Sequence, residues 1–149
     1  MNGANPAFIQ AMPEQVQTDQ PGPTFTIDLA HPRPPLTAND RTHWRTKARV
    51  TKALRQEAAA RVTALRIPEY PRIRVSLVWV VKDRRRRDGG ENIAPTLKPL
   101  IDGLVDAGVV ADDDQFHVFR DMPTIRFEKG ATPHLELTVS PVAVEAVAA

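Results

Sequence analysis

Asp88, Glu91 and Asp113 are the residues of this 149-residue chain whose types and positions best suit chemistry. Asp88 and Glu91 lie at the end of the most apolar strand-like segment and in the turn after it, and Asp113 lies just past a later helical segment. Short glycine-containing connections are expected to fold Asp113 back against that strand. The three carboxylates would then converge on an oxygen-only pocket suited to Mg2+ or Mn2+. A metal in such a pocket lowers the pKa of bound water and neutralises charge on a phosphodiester under attack. Asp112-Asp113-Asp114 also fits an acidic turn that caps a strand, and spacing alone leaves both readings open.

The neighbours of these acids point towards phosphate. Arg84, Arg85, Arg86 and Arg87 run directly into Asp88. Guanidinium groups pair bidentately with phosphate, so the run is expected to hold a nucleic-acid backbone beside the carboxylates. If the strand continues through the run, alternate arginines face opposite sides and two of the four reach one ligand. Lys98 and Asp102 stand one helical turn apart, in the order less favourable for helix stability. Either they form a surface pair, or Lys98 faces the pocket and stabilises an attacking hydroxide or a departing oxygen. His31, His43, His117 and His134 show no H-x-H or H-x-x-x-H spacing, so neither a zinc site nor a histidine base is expected. Ser76 and Ser140 have no adjacent histidine, and no GxxxxGK[ST] loop is present. The chain has no cysteine, which excludes a disulfide scaffold, a thiolate zinc site and a cysteine nucleophile.

These groups need elements to position them. Thr24 to Leu29 alternates as a strand, and Asn39-Asp40 offers an N-cap to a helix whose apolar stripe is Trp44, Ala48, Thr51, Leu54, Ala58, Val62 and Leu65. Arg45, Arg49, Lys52 and Gln56 fall on another face of that helix. Arg72 to Val81 reads as a strand with one end deep in a sheet. A second helix is expected to start near Thr96, with Leu97, Leu100, Ile101, Leu104 and Val105 as its apolar face, Pro99 in its first turn and Gly108 at its C-terminal cap. One strand follows from Phe116 to roughly Phe127, then a hairpin turn over Gly130 to Pro133, then a strand through Leu135, Leu137 and Val139. The expected class is α+β, a mixed β-sheet with two main helices in the order β-α-β-α-β-β. Residues 1–23 read as a disordered arm, 24–141 as the domain and 142–149 as a tail. No stretch is long and apolar enough for a membrane helix and no secretory leader is recognisable, so a cytoplasmic protein is expected.

Charge is divided along the chain. From His31 to Arg87 there are 16 Lys or Arg against 4 Asp or Glu, and from Asp88 to Ala149 there are 4 against 11. A polyanion grasped by one part and a cation held by the other would account for this division. Basic solvated helix faces balanced by acids elsewhere would account for it equally well.

In its motifs the sequence resembles the RusA-like Holliday junction resolvases, small endonucleases common in phages and prophages. The similarity covers residues 24 to 140. It rests on Pro34-Pro35 followed by Asn39-Asp40-Arg41, on Arg84 to Asn92 (RRRRDGGEN), on Lys98 with Asp102-Gly103-Leu104, and on Ala107 to Gln115 (AGVVADDDQ). The family pattern is R-D-x-D-N, then a helix with K and D-x-L, then A-G-hydrophobic-x-x-D-D-x-Q. This chain departs from it in D-G-G-E-N, with one residue inserted and Glu for Asp, and in a longer interval from Asn92 to Lys98. The resemblance implies a homodimeric, Mg2+-dependent enzyme that nicks four-way DNA junctions symmetrically, with no nucleotide cofactor. It places the metal ligands on Asp88, Glu91 and Asp113 and the essential basic residue on Lys98. Asn92, Asp102 and Asp112 would support them, while Asn39, Arg41, Arg45, Arg49, Lys52 and Arg84 to Arg87 would contact DNA. The rival expectation is a branched- or duplex-DNA-binding protein whose altered acidic site does not cleave.

Overall fold

The computed structural model describes residues 22–143. The arm expected over 1–23 and the tail expected over 142–149 lie outside the described residues, apart from the inner two of each. Within the described residues five strands form one mixed sheet: β1 (Phe25–Leu29), β2 (Ile73–Val81), β3 (Val118–Arg120), β4 (Thr124–Phe127) and β5 (His134–Pro141). Among the described residues two helices, α1 (Trp44–Ala64) and α2 (Gly90–Asp106), complete the α+β fold. Among the described residues no helix is long and apolar enough to cross a membrane.

The apolar run of β2 explains its central place. β5 pairs antiparallel on one side of it, and β3 and β4 pair parallel on the other. β1 closes the far edge against β5, with Ile27 opposite Leu137 and Leu29 opposite Leu135. Ile73, Val75 and Leu77 of β2 join these residues and the apolar face of α2 in one buried core. The hairpin expected between the last two strands does not form. β4 and β5 lie on opposite sides of β2, because a strand apolar to its end is best buried with a partner on each edge. The strand expected from Phe116 to Phe127 is also two strands. Asp121 ends the first by turning its carboxylate to Arg74 and Ser76, and Pro123 has no N–H to continue the ladder.

α1 is capped by His43, whose Nδ1 accepts from Arg45 N at 3.2 Å, rather than by Asn39-Asp40. Its expected stripe is buried only in the second half, at Leu54, Ala58 and Val62. Trp44 is 67% exposed and Leu65 48% exposed, so the helix overhangs the body at both ends. The crossing with α2 is fixed by Gly103, where a Cβ would lie 2.4 Å from the Arg55 carbonyl oxygen and 2.8 Å from Ala58 Cβ.

α2 starts at Gly90, well before Thr96, and carries both Pro95 and Pro99 inside it. Proline read as a helix boundary hid these first turns, since Pro95 withholds the N–H that would reach the Glu91 carbonyl. A neighbouring loop braces this segment. The buried Thr96 hydroxyl donates to the Leu36 carbonyl at 2.6 Å and accepts from Leu36 N at 3.1 Å. Ala38 N donates to the Asn92 carbonyl at 2.9 Å. The apolar face of α2 is as expected, and Gly108, at φ 82, follows the Ala107 cap in the left-handed conformation that glycine adopts without strain.

Thr96→Val keeps the side-chain shape but leaves a buried N–H and a buried carbonyl of Leu36 unpaired. It is expected to cost about 3 kcal/mol, with Thr96→Ser close to wild type, in equilibrium urea denaturation. A Thr96→Val loss below about 0.5 kcal/mol would show that the clamp is dispensable.

Candidate active site

The first turn of α2 and the loop before α1 build one acidic pocket. Asp88 ends the arginine loop, Gly89 is the helix N-cap without a side-chain cap, and Glu91 lies in the first turn. Asn39, carried on the loop clamped by Thr96, donates from Nδ2 to Asp88 Oδ2 at 2.7 Å. Its backbone N–H donates to Asn92 Oδ1 at 3.1 Å. Ala38, Asn39, Asp88, Gly89, Glu91 and Asn92 line a cavity of about 300 Å³. Its side-chain donors are two carboxylates and amide oxygens. That set suits Mg2+, which keeps most of its waters and takes one or two carboxylates from a protein.

Asp113 is held elsewhere. Lys98 Nζ donates to Asp113 Oδ2 at 2.7 Å and to Asp102 Oδ1 at 2.8 Å. Arg120 Nη2 donates to the Asp113 carbonyl at 2.7 Å. The hydrogen bonds to Asp102 and Asp113 raise the Lys98 pKa, and the Lys98 ammonium beside Asp113 holds that carboxyl below its usual range. Lys98 is therefore a protonated cation here and cannot accept a proton. The expected single pocket of Asp88, Glu91 and Asp113 is not what the structure forms. Among the described residues the ligand atoms of Asp88, Glu91 and Asp113 do not gather within 4.8 Å of one another, and Asp113 is paired with Lys98. The acids and Lys98 instead share one face of α2, with Asp88 and Glu91 at its start and Lys98 and Asp102 along it.

The acidic turn does structural work as well. Asp112 Oδ1 accepts from Asp113 N at 2.7 Å. Asp114 Oδ1 accepts from Phe116 N at 2.9 Å and pairs with His117 Nδ1 at 2.6 Å. Asp113 is left as the member of the three that faces Lys98.

The arginine run does not continue β2 as a strand, and its members divide by role rather than by alternation. Arg87 is turned inward, with its guanidinium 5.3 Å from the Trp79 ring centroid and Nη2 donating to Asp83 Oδ1 at 2.7 Å. Arg85 pairs with Asp83 at 3.4 Å, and Arg84 stacks 4.8 Å from the Phe127 centroid. Arg84, Arg85 and Arg86 are exposed, and so are Arg41, Arg45, Arg49 and Lys52 around the overhanging end of α1. Arg45 lies 5.1 Å from the Trp44 ring centroid, so this overhang presents both an aromatic ring and positive charge.

Three features of the site were not read from the sequence. Arg120 contacts Asp113 across the sheet edge, a pairing that no local spacing signals. Asn39 supports Asp88 rather than standing free for DNA, and Thr96 holds the loop that carries it. The third is a separate group, Asp28, His134 and Glu136, whose ligand atoms all lie within 4.8 Å of one another. Asp28 and Glu136 are cross-strand partners, so neither helical nor H-x-H spacing reveals them. There Glu136 Oε2 already accepts from Arg126 Nη2 at 2.9 Å and faces His134 Nε2 at 2.9 Å. Its imidazole and arginine make it a poorer match to Mg2+ than the oxygen set at Asp88 and Glu91.

Comparison with known proteins adds no family. No family model matches the chain, and no curated protein matches it. Among solved structures, the hydrogenase maturation protein HypE in complex with ATP aligns at 12% identity with a TM-score of 0.30, over 85% of this chain and 32% of that one. A second HypE structure aligns at 13% identity with a TM-score of 0.28, over 85% of this chain and 34% of that one. The chain thus spans about a third of the length of these neighbours. At such scores the likeness carries no argument about fold or activity.

Proposed function

We propose that this chain is a Mg2+-dependent, structure-selective endonuclease that acts on four-way junctions and other branched DNA in the cytoplasm, as a two-fold homodimer. The observation that carries this reading is the single face of α2. Asp88 and Glu91 open it, the Lys98 ammonium lies two turns on between Asp102 and Asp113, and exposed arginines flank its start. The RRRRDGGEN and AGVVADDDQ motifs of the resolvase pattern both fall on this face or at its ends.

Asp88 and Glu91 would hold the cation, which supplies Lewis-acid charge neutralisation and an activated water at the phosphodiester. Asn39 fixes the Asp88 carboxylate by donating to one oxygen and leaving the other available. Lys98 carries a full positive charge towards solvent, placed to stabilise the departing oxygen, and Asp102 and Asp113 orient it. Arg84 to Arg86 and the overhanging end of α1 bind backbone phosphates, so affinity depends on salt and on branch shape rather than on base sequence. Two copies related by a two-fold axis would place two such faces on the two strands of a symmetric junction.

One observation favours a second reading, a branched-DNA-binding protein that does not cleave: Asp113 is neutralised by Lys98 instead of joining Asp88 and Glu91. A labelled four-way junction and a linear duplex, each incubated with Mg2+ or EDTA, separate the two. Nicking of the junction that needs Mg2+ is expected, with Asp88→Asn and Glu91→Gln lowering the rate about 100-fold or more. Both variants should bind the junction in EDTA as tightly as wild type or tighter, since negative charge facing the phosphates has been removed. Junction binding without nicking would establish the second reading, and equal competition by linear duplex would exclude selectivity for branches.

The arginines should separate by assay. Arg86→Ala is expected to weaken junction binding and lower the slope of log affinity against log salt by about one, with thermal stability unchanged. Arg87→Ala should instead lower the melting temperature, because it withdraws the group packed on Trp79 and bonded to Asp83. The reverse pattern would place Arg87 on the DNA.

A further inference from the structure

A cavity of about 300 Å³ lies directly beside Lys98, between α2 and the segment that links β3 to β4. Ala94, Leu97, Met122 and Pro123 make its walls, and Lys98 and Arg120 stand among its lining residues. The volume is at the lower end for small-molecule pockets, the scale of one heterocycle rather than a base pair. Its surface is mostly apolar, and its charged lining residues are Lys98 and Arg120, the two cations that contact Asp113, together with Asp121, whose carboxylate is taken up by Arg74 and Ser76. A phosphate recognised by Lys98 and Arg120 would therefore have an apolar slot next to it.

The walls are held in place. At Gly90 a Cβ would lie 1.9 Å from the Pro123 carbonyl oxygen and 2.9 Å from Met122 Cγ, so the linking segment rests on the first turn of α2 without a gap. Asp121 anchors the start of that segment through Arg74, at 2.9 Å and 3.0 Å, and through Ser76. The Arg74 guanidinium keeps the Asp121 carboxyl low and ionised. Met122 is nevertheless 59% exposed, an unbranched thioether at the edge of the slot that can lie against a planar ring.

We infer that this cavity receives one unpaired nucleobase of the DNA strand whose phosphate lies at Lys98 and Arg120. The inference rests on the endonuclease reading and names what that site selects. Taking a base out of a duplex costs unstacking and unpairing, and the cost is least where pairing is already broken. A branch point supplies such a base, so the slot favours branched over linear DNA without reading sequence. Burying one face of a single base against apolar walls is worth enough to change binding or rate about 10-fold.

The test uses the full chain and a four-way junction with 2-aminopurine at one position beside the crossover, in separate substrates that scan the flanking nucleotides. Among the described residues no aromatic side chain lines the slot, so 2-aminopurine that enters it leaves its quenching neighbours. Fluorescence at one scanned position is expected to rise several-fold on binding in EDTA, while a linear duplex with the same label stays dark. Ala94→Leu, which fills the slot, should abolish the rise and lower junction cleavage about 10-fold. Met122→Ala, at an exposed position, should reduce both more mildly. Circular dichroism and the melting temperature check that each variant is folded, and Met122→Ala carries the test if Ala94→Leu is not. Junction binding and nicking without any rise at any position would overturn the slot and leave the endonuclease reading standing, as would wild-type behaviour of both variants. Failure of the wild-type chain to bind junctions in a gel shift would overturn both.

Discussion

The buried hydroxyl of Thr96 is the contact on which the arrangement of the site depends. It satisfies both backbone groups of Leu36 and so fastens the 36–40 loop along the first turns of α2. Asn39 then reaches Asp88, and Ala38 and Asn39 both take acceptors from Asn92. Two prolines weaken the helix just where this loop supports it. The acidic pocket is thus made by two segments roughly fifty residues apart in sequence, joined by hydrogen bonds that water cannot reach at Thr96.

α2 serves two purposes at once. One side meets α1 so closely at Gly103 that no side chain fits, and this sets the helix on the sheet. The other side carries Glu91, Lys98 and Asp102 out towards the acidic turn. Lys98 and Asp113 neutralise each other there, at 58% and 31% side-chain exposure, so their attraction is screened and readily exchanged for a phosphate. In the proposed endonuclease, that exchange would let an ion pair of the free protein become a phosphate site.

How much of this was legible in the sequence depends on the range of the interaction. The apolar run of β2, the buried face of α2 and the glycine after its end are local patterns, and they appear as expected. The first turns of α2 were hidden by Pro95, because local rules read proline as a boundary and know nothing of the loop that braces it. The stripe of α1 failed at Trp44, since periodicity records which residues share a face but not how far the neighbouring helix extends. The break at Asp121 and the separation of β4 from β5 arise from pairing with β2, which is non-local. At the site, the residue types were legible and their grouping was not. Four adjacent arginines look alike, yet Trp79 and Asp83 take Arg87 out of the set. Likewise Asp113 looks equivalent to Asp88 until Lys98 and Arg120 claim it.

In the proposed enzyme a divalent cation acts at the oxygen pocket of Asp88 and Glu91. Anomalous scattering from crystals grown with Mn2+ in place of Mg2+ tests it most directly. A peak coordinated by the Asp88 and Glu91 carboxylates is expected. A peak at Asp28, His134 and Glu136, with none at Asp88 and Glu91, would contradict it.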